Sequence, residues 1–141
     1  MNKRIAAVDY GKKRIGLAIT DARGVVALPL TVVSAGKSMA ESVRNVLKAL
    51  APYVSEIKEF IVGLPLLLTG AVGDMAKETE RFAEILRKES LLPVTMIDER
   101  LSSKGAERAL LEMNHSRKRR KEMSDETAAT ILLQTYLSQK T

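Results

Sequence analysis

Apolar and polar residues alternate along IAAVDYGKKRIGLAITD, residues 5 to 21, in the pattern of two strands joined by a short polar turn. The alternation puts Asp9 on the face of Ile5 and Ala7, where a core residue is expected. A carboxylate moved from water to such a face is costly unless something pairs with it. VVALPLTVV, 25 to 33, reads as a third strand after a turn at Gly24, which completes an antiparallel meander. Ser38 and Glu41 fit a capping box ahead of Met39, Val43, Val46, Leu47 and Leu50, a helical spacing that Pro52 ends.

The continuous apolar run FIVGL, 60 to 64, stops at Pro65 and predicts a central strand covered on both faces. Met75, Thr79, Phe82, Ala83 and Leu86 mark a second helix, and PVTMIDE, 93 to 99, a fifth strand. A short helix over 102–113 and a last one from 125 to about 139 follow. The order βββαβαβαα implies an α/β fold: a five-stranded mixed sheet, three antiparallel strands then two parallel, with helices on both faces. Sites in open sheets form beyond the carboxyl ends of the parallel strands. Asp9 ends the first strand and Glu99 the fifth.

Composition narrows the chemistry. The 141 residues fit one domain, 1–141, and no apolar run approaches the ~18 residues of a membrane span. The opening MNKRIAAVDYG reaches an acid too early for a secretory signal, so a soluble, cytoplasmic protein with no membrane partner is expected. There is no cysteine, and His115 is the sole histidine, so thiolate catalysis, zinc clusters and a Ser-His-Asp triad are excluded. Any catalysis falls to carboxylates. The net charge of +6 favours a polyanionic partner, whereas the scattered aromatics argue against a stacking platform for bases.

Three acids stand at element ends: Asp9, Glu99 and Asp125. On a helical wheel Asp125 shares its face with Ala128, Ala129, Leu132 and Tyr136, and therefore points toward packing. Each acid also has an ordinary reading: Asp9 and Asp21 as turn residues, Glu99 as a partner of Arg100, Asp125 as a helix cap. Together, three converging carboxylates repel one another unless a cation joins them. Oxygen ligands without His or Cys favour Mg2+ or Mn2+, and two such ions ~4 Å apart suit in-line attack on a phosphodiester.

VDYGKKRIGLAITD, IVGLPLLLTG, IDERLSS and DETAATILLQTYL, in that order, resemble the four motifs of the YqgF family over nearly the whole chain. That resemblance implies an RNase H-like fold and a nuclease, associated with Holliday junction resolution or pre-16S ribosomal RNA processing. It matches Asp9, Glu99 and Asp125 to the family's acidic metal-binding positions. Gly11, Lys13, Arg14 and Gly16 match its hairpin positions, and Arg100 the arginine of DER. Asp98 belongs to the same motif but points to the other side of its strand, as a supporting residue. Where the family has a polar stretch after GLP, this chain has Leu66, Leu67 and Leu68, which cannot replace amide or carboxylate hydrogen bonds.

The run Arg117, Lys118, Arg119, Arg120, Lys121 precedes Asp125, and Lys12, Lys13 and Arg14 extend the basic field from the first turn. Such residues, with Arg100 as a further substrate-binding candidate, grip phosphates without reading sequence. The expected activity is metal-dependent endonucleolytic cleavage of structured RNA, with branched DNA as the alternative, by a monomer or a homodimer. A non-catalytic nucleic-acid-binding factor and an actin-like nucleotide-binding protein are the competing classes.

Overall fold

The computed structural model describes residues 2–101 and 125–140, with the main chain alone at residues 101, 125 and 126. The helix predicted over 102–113, His115 and the basic run 117–121 lie outside the described residues. Strands β1 (Arg4–Asp9), β2 (Arg14–Thr20) and β3 (Ala27–Ser34) precede helix α1 (Met39–Ala49), β4 (Ile57–Leu64), α2 (Asp74–Ser90), β5 (Val94–Asp98) and α3 (Asp125–Lys140).

The sheet order is β3-β2-β1-β4-β5. β1 pairs antiparallel with β2, and β2 with β3, while β1 with β4 and β4 with β5 are parallel. The expected mixed sheet of three antiparallel and two parallel strands is therefore present. β3 begins at Ala27, later than the apolar run suggests. The Asp21 carboxylate accepts the amides of Val25 (2.9 Å) and Val26 (3.1 Å), which draws both valines into the turn. Pro29 sits on this edge strand opposite Ala18, where the β2–β3 register shifts, a position at which a strand tolerates proline.

The α1 cap forms as expected in one half: Ser38 Oγ accepts the Glu41 amide at 3.1 Å. The Glu41 carboxylate reaches one residue further back than a capping box predicts and accepts the Lys37 amide at 2.8 Å.

Two apolar layers sandwich the sheet. Val8, Leu17, Phe60 and Val62 face Val43, Val46 and Leu50 of α1 and Phe82 and Leu86 of α2. Ile5, Ala7, Ala18, Ile61 and Ile97 face the other way, against Ala129, Leu132 and Leu133 of α3. Full burial of Ala129 and near-full burial of Ala128 show why small residues are needed there: they let the helix settle close to the strands.

Candidate active site

Asp9 is the last residue of β1 and is half-buried. Its face is set by strand alternation: Ile5 and Ala7 belong to the layer beneath α3, and Asp9 continues their row. Tyr10 packs into the opposite layer, with its ring centroid 4.6 Å from that of Phe82. Burial and the neighbouring Glu78 carboxylate raise the Tyr10 phenol pKa. The α1/α2 layer thus claims Tyr10, and Asp9 alone closes β1 on the α3 side.

Glu99 does not continue β5. It opens a 3-10 turn, Glu99–Leu101, so strand alternation ends at Asp98. Its side chain lies over the backbone of β4: a Cβ on Gly63 would come within 2.5 Å of Glu99 Oε1 and 2.9 Å of its Cγ. Gly63 follows Ile61 on the α3 face at the spacing of alternate residues. The β1–β4 register pairs Val8 with Val62, so Asp9 and Gly63 stand one residue further on. Adjacent strands are about 4.8 Å apart. The bare backbone at Gly63 lets the Glu99 carboxylate rest on the strand next to Asp9, on the same face.

The direction of α3 follows from its far end. Tyr136 donates its hydroxyl to both oxygens of Glu59 at 3.1 Å, and Lys140 Nζ lies 3.2 Å from Glu59 Oε1. Glu59 is near the start of β4, so α3 runs back along the sheet from there. The 11 residues from Tyr136 to Asp125 span about 16 Å of helix. Glu59 to Gly63 spans about 13 Å of strand. The helix therefore starts, at Asp125, toward the end of the sheet where β1, β4 and β5 finish.

Arg100 is bound to its own motif. Its Nη2 lies 2.7 Å from Asp98 Oδ2, its amide donates to Asp98 Oδ1 at 2.9 Å, and its Nη1 donates to the Leu68 carbonyl at 3.3 Å. The Arg100 guanidinium holds the Asp98 carboxyl below its usual pKa. Arg100 thus pairs with Asp98 and tethers the leucine loop. Lys12 and Lys13 lie exposed between β1 and β2, and exposed Arg14 opens β2, at the same end of the sheet as Glu99. Asp21, the other acid that closes a strand in the opening hairpin, is a turn residue: the amides of Val26 and Val25, with Arg23, bring its pKa down to about 2.

The sequence reading missed the packing role of Gly63 and the Glu59–Tyr136–Lys140 cluster. A glycine inside an apolar strand is a signal of close approach, so the first was detectable. Among the described residues no group of three His, Cys, Asp or Glu side chains gathers as a metal site. Asp9 and Glu99 contribute oxygen donors to one face, and that donor chemistry fits a hard divalent cation.

Residues 3–139 match the family model described as RuvX: Holliday junction resolvase. The chain belongs to this family. A relative from Protochlamydia amoebophila, provisionally named pre-16S rRNA nuclease, is 37% identical over 97% of this chain and 94% of its own. A second, from Syntrophomonas wolfei and named likewise, is 43% identical over 95% and 93%. Among solved structures, T. thermophilus RuvC in complex with Holliday junction substrate superposes with a TM-score of 0.56 at 17% identity, covering 97% of this chain and 94% of that one. The fold is RNase H-like.

Proposed function

We propose that this RuvX-family chain is a metal-dependent endonuclease that trims the 5′ end of pre-16S ribosomal RNA in the cytoplasm. Family membership and the names carried by its relatives support nuclease activity and an RNA substrate. The observation that carries the catalytic assignment is the Glu99 carboxylate laid across Gly63 on the face that Asp9 terminates.

Asp9, Glu99 and Asp125 would hold Mg2+ or Mn2+, which when bound supplies an activated water and neutralises charge at the leaving oxygen. The protein's own part is placement. β1 fixes Asp9, the turn after β5 swings Glu99 over β4, and α3 brings Asp125 to the same end of the sheet. Lys12, Lys13 and Arg14, with Arg117, Lys118, Arg119, Arg120 and Lys121, neutralise phosphates on either side of the scissile one. These contacts position the strand, and affinity falls by about 0.9 log units per tenfold rise in salt for each duplex phosphate neutralised.

The family description favours one second reading, resolution of a four-way DNA junction, which needs a homodimer with two symmetric sites. The test compares a pre-16S 5′ fragment with a four-way junction, in Mg2+ or Mn2+, for wild type, Asp9→Asn, Glu99→Gln and Asp125→Asn. Wild type should cut the RNA, and each variant should lose at least about 100-fold in rate while still binding. Equal cleavage by every variant would overturn the carboxylate assignment. Cleavage of the junction alone would overturn the RNA substrate.

A further inference from the structure

Charge is divided by strand along the end of the sheet where β1, β4 and β5 finish. Asp9 and Glu99 lie on the side of those three strands, and Arg100 there is bound to Asp98. On the other side come the β1–β2 turn with Lys12 and Lys13, Arg14 at the start of β2, and then the link from β3 to α1. Lys37 stands in that link. It is exposed, and its ammonium forms no ion pair among the described residues.

The link is pinned in place. The β2–β3 register pairs Arg14 with Ser34, so the link begins beside the first turn. Ala35 N–H donates to the Lys13 carbonyl at 2.9 Å and joins the two segments directly. Gly36 N–H donates to Ser42 Oγ at 2.9 Å, Lys37 N–H to Glu41 Oε2 at 2.8 Å, and Asn45 Nδ2 to the Ser34 carbonyl at 3.0 Å. The Glu41 stem fills the space over Gly36, where a Cβ would meet its Cβ and Cγ at 2.5 Å. Glu41 is the single acid of α1, and its carboxylate is committed to the Lys37 amide.

Geometry turns this row of cations into a ruler. β3 is two strands away from β1, which is about 10 Å. Phosphates along one strand of a duplex advance about 3.4 Å per base pair, so Lys37 falls about three base pairs from a phosphate held at Asp9. A lysine on a fixed backbone supplies a point charge, which a phosphate accepts from any direction. The row crosses β2 and β3 only, so it serves one flank of the cleavage site.

We propose that Lys37 ends a phosphate track that runs from Asp9 over the β1–β2 turn to the β3–α1 link and holds one duplex arm of the RNA, about three base pairs from the cut. The opposite arm does not touch it. This rests on the nuclease reading above and adds to it the side on which the substrate's flanking duplex lies.

The test uses a stem-loop RNA with a duplex arm on each side of the cleavage site, bound by protein carrying Asp9→Asn so that the RNA stays intact, and a four-way DNA junction in parallel. Lys37→Ala should weaken binding about eightfold at 0.1 M salt and lower the slope of log affinity against log salt by about 0.9. Lys37→Arg should restore both. Lys48→Ala, which removes the same charge from the exposed last turn of α1, should change neither. The link is bonded through the Lys37 amide, so these substitutions leave it intact. In protein with Asp9 restored, Lys37→Ala should raise KM and leave kcat unchanged.

Trimming one arm to about two base pairs should erase the difference between Lys37→Ala and wild type, and trimming the other should not. Equal effects of the two arms would overturn the track. So would equal losses in Lys37→Ala and Lys48→Ala, which assign the effect to net charge. A wild-type salt slope in Lys37→Ala, with RNA still bound and cut, would overturn the track and leave the nuclease reading standing. A slope change on the junction sustains the track on DNA duplex. If no form binds RNA or junction, the nuclease reading itself fails and the track with it.

Discussion

Oε1 of Glu99 occupies the space a methyl group would need on Gly63, 36 positions away in the chain: Gly63 lies in β4, and Glu99 opens the turn that follows the neighbouring strand β5. The central strand can carry the carboxylate only because that position has no side chain. Gly63 thus provides the room in which the carboxylate rests.

Gly63→Ala should therefore displace Glu99 without unfolding the protein, since the nearest clashing atoms belong to a flexible side chain. An ångström of misplacement in a reacting constellation costs about 100-fold in rate. The expected result is a single-turnover cleavage rate lower by about that factor, with substrate affinity and melting temperature close to wild type.

Tyr136 and Glu59 join α3 to the start of β4 across 77 residues. A hydrogen bond to a partly buried charged group contributes about 1.5–3 kcal/mol. Tyr136→Phe removes the hydroxyl and keeps the ring, and Lys140 remains beside Glu59. Urea unfolding should show a loss near the lower bound, about 1.5 kcal/mol, with an unchanged slope.

Asp21 gives a pH signature. Its pKa in the folded chain, about 2, lies below the ordinary carboxylate value of 3.8. A depressed carboxyl stabilises the fold above its unfolded pKa, and the contribution fades as pH falls from about 4 toward 2. Asp21→Asn should be less stable than wild type at neutral pH, and the gap should narrow through that window when urea midpoints are compared. A gap that stays constant from pH 7 to 2 would assign the effect to turn geometry instead of charge.

Much of this architecture is written in local pattern. Alternation around Asp9 gives its face, the run 60–64 gives the central strand, and the spacing in 75–86 gives α2, whose buried residues include Thr79, Phe82, Ala83 and Leu86. Ala129, Leu132 and Tyr136 meet the sheet side of α3 as their wheel predicts. The departures arise where a side chain overrides backbone periodicity. Asp21 captures two amides and delays β3, and Arg100 pairs with Asp98, where the ordinary reading paired it with Glu99. Contacts such as Glu99 on Gly63 and Tyr136 on Glu59 join distant segments, so no window of neighbouring residues contains them.

The order of elements also has a consequence on the ribosome. Ile5, Ala7, Ala18 and Ile61 emerge early in translation, yet the helix that covers them comes last. Until it arrives, the nascent polypeptide presents a bare greasy surface to the cell, a ready target for chaperones and a hazard for aggregation during every round of synthesis.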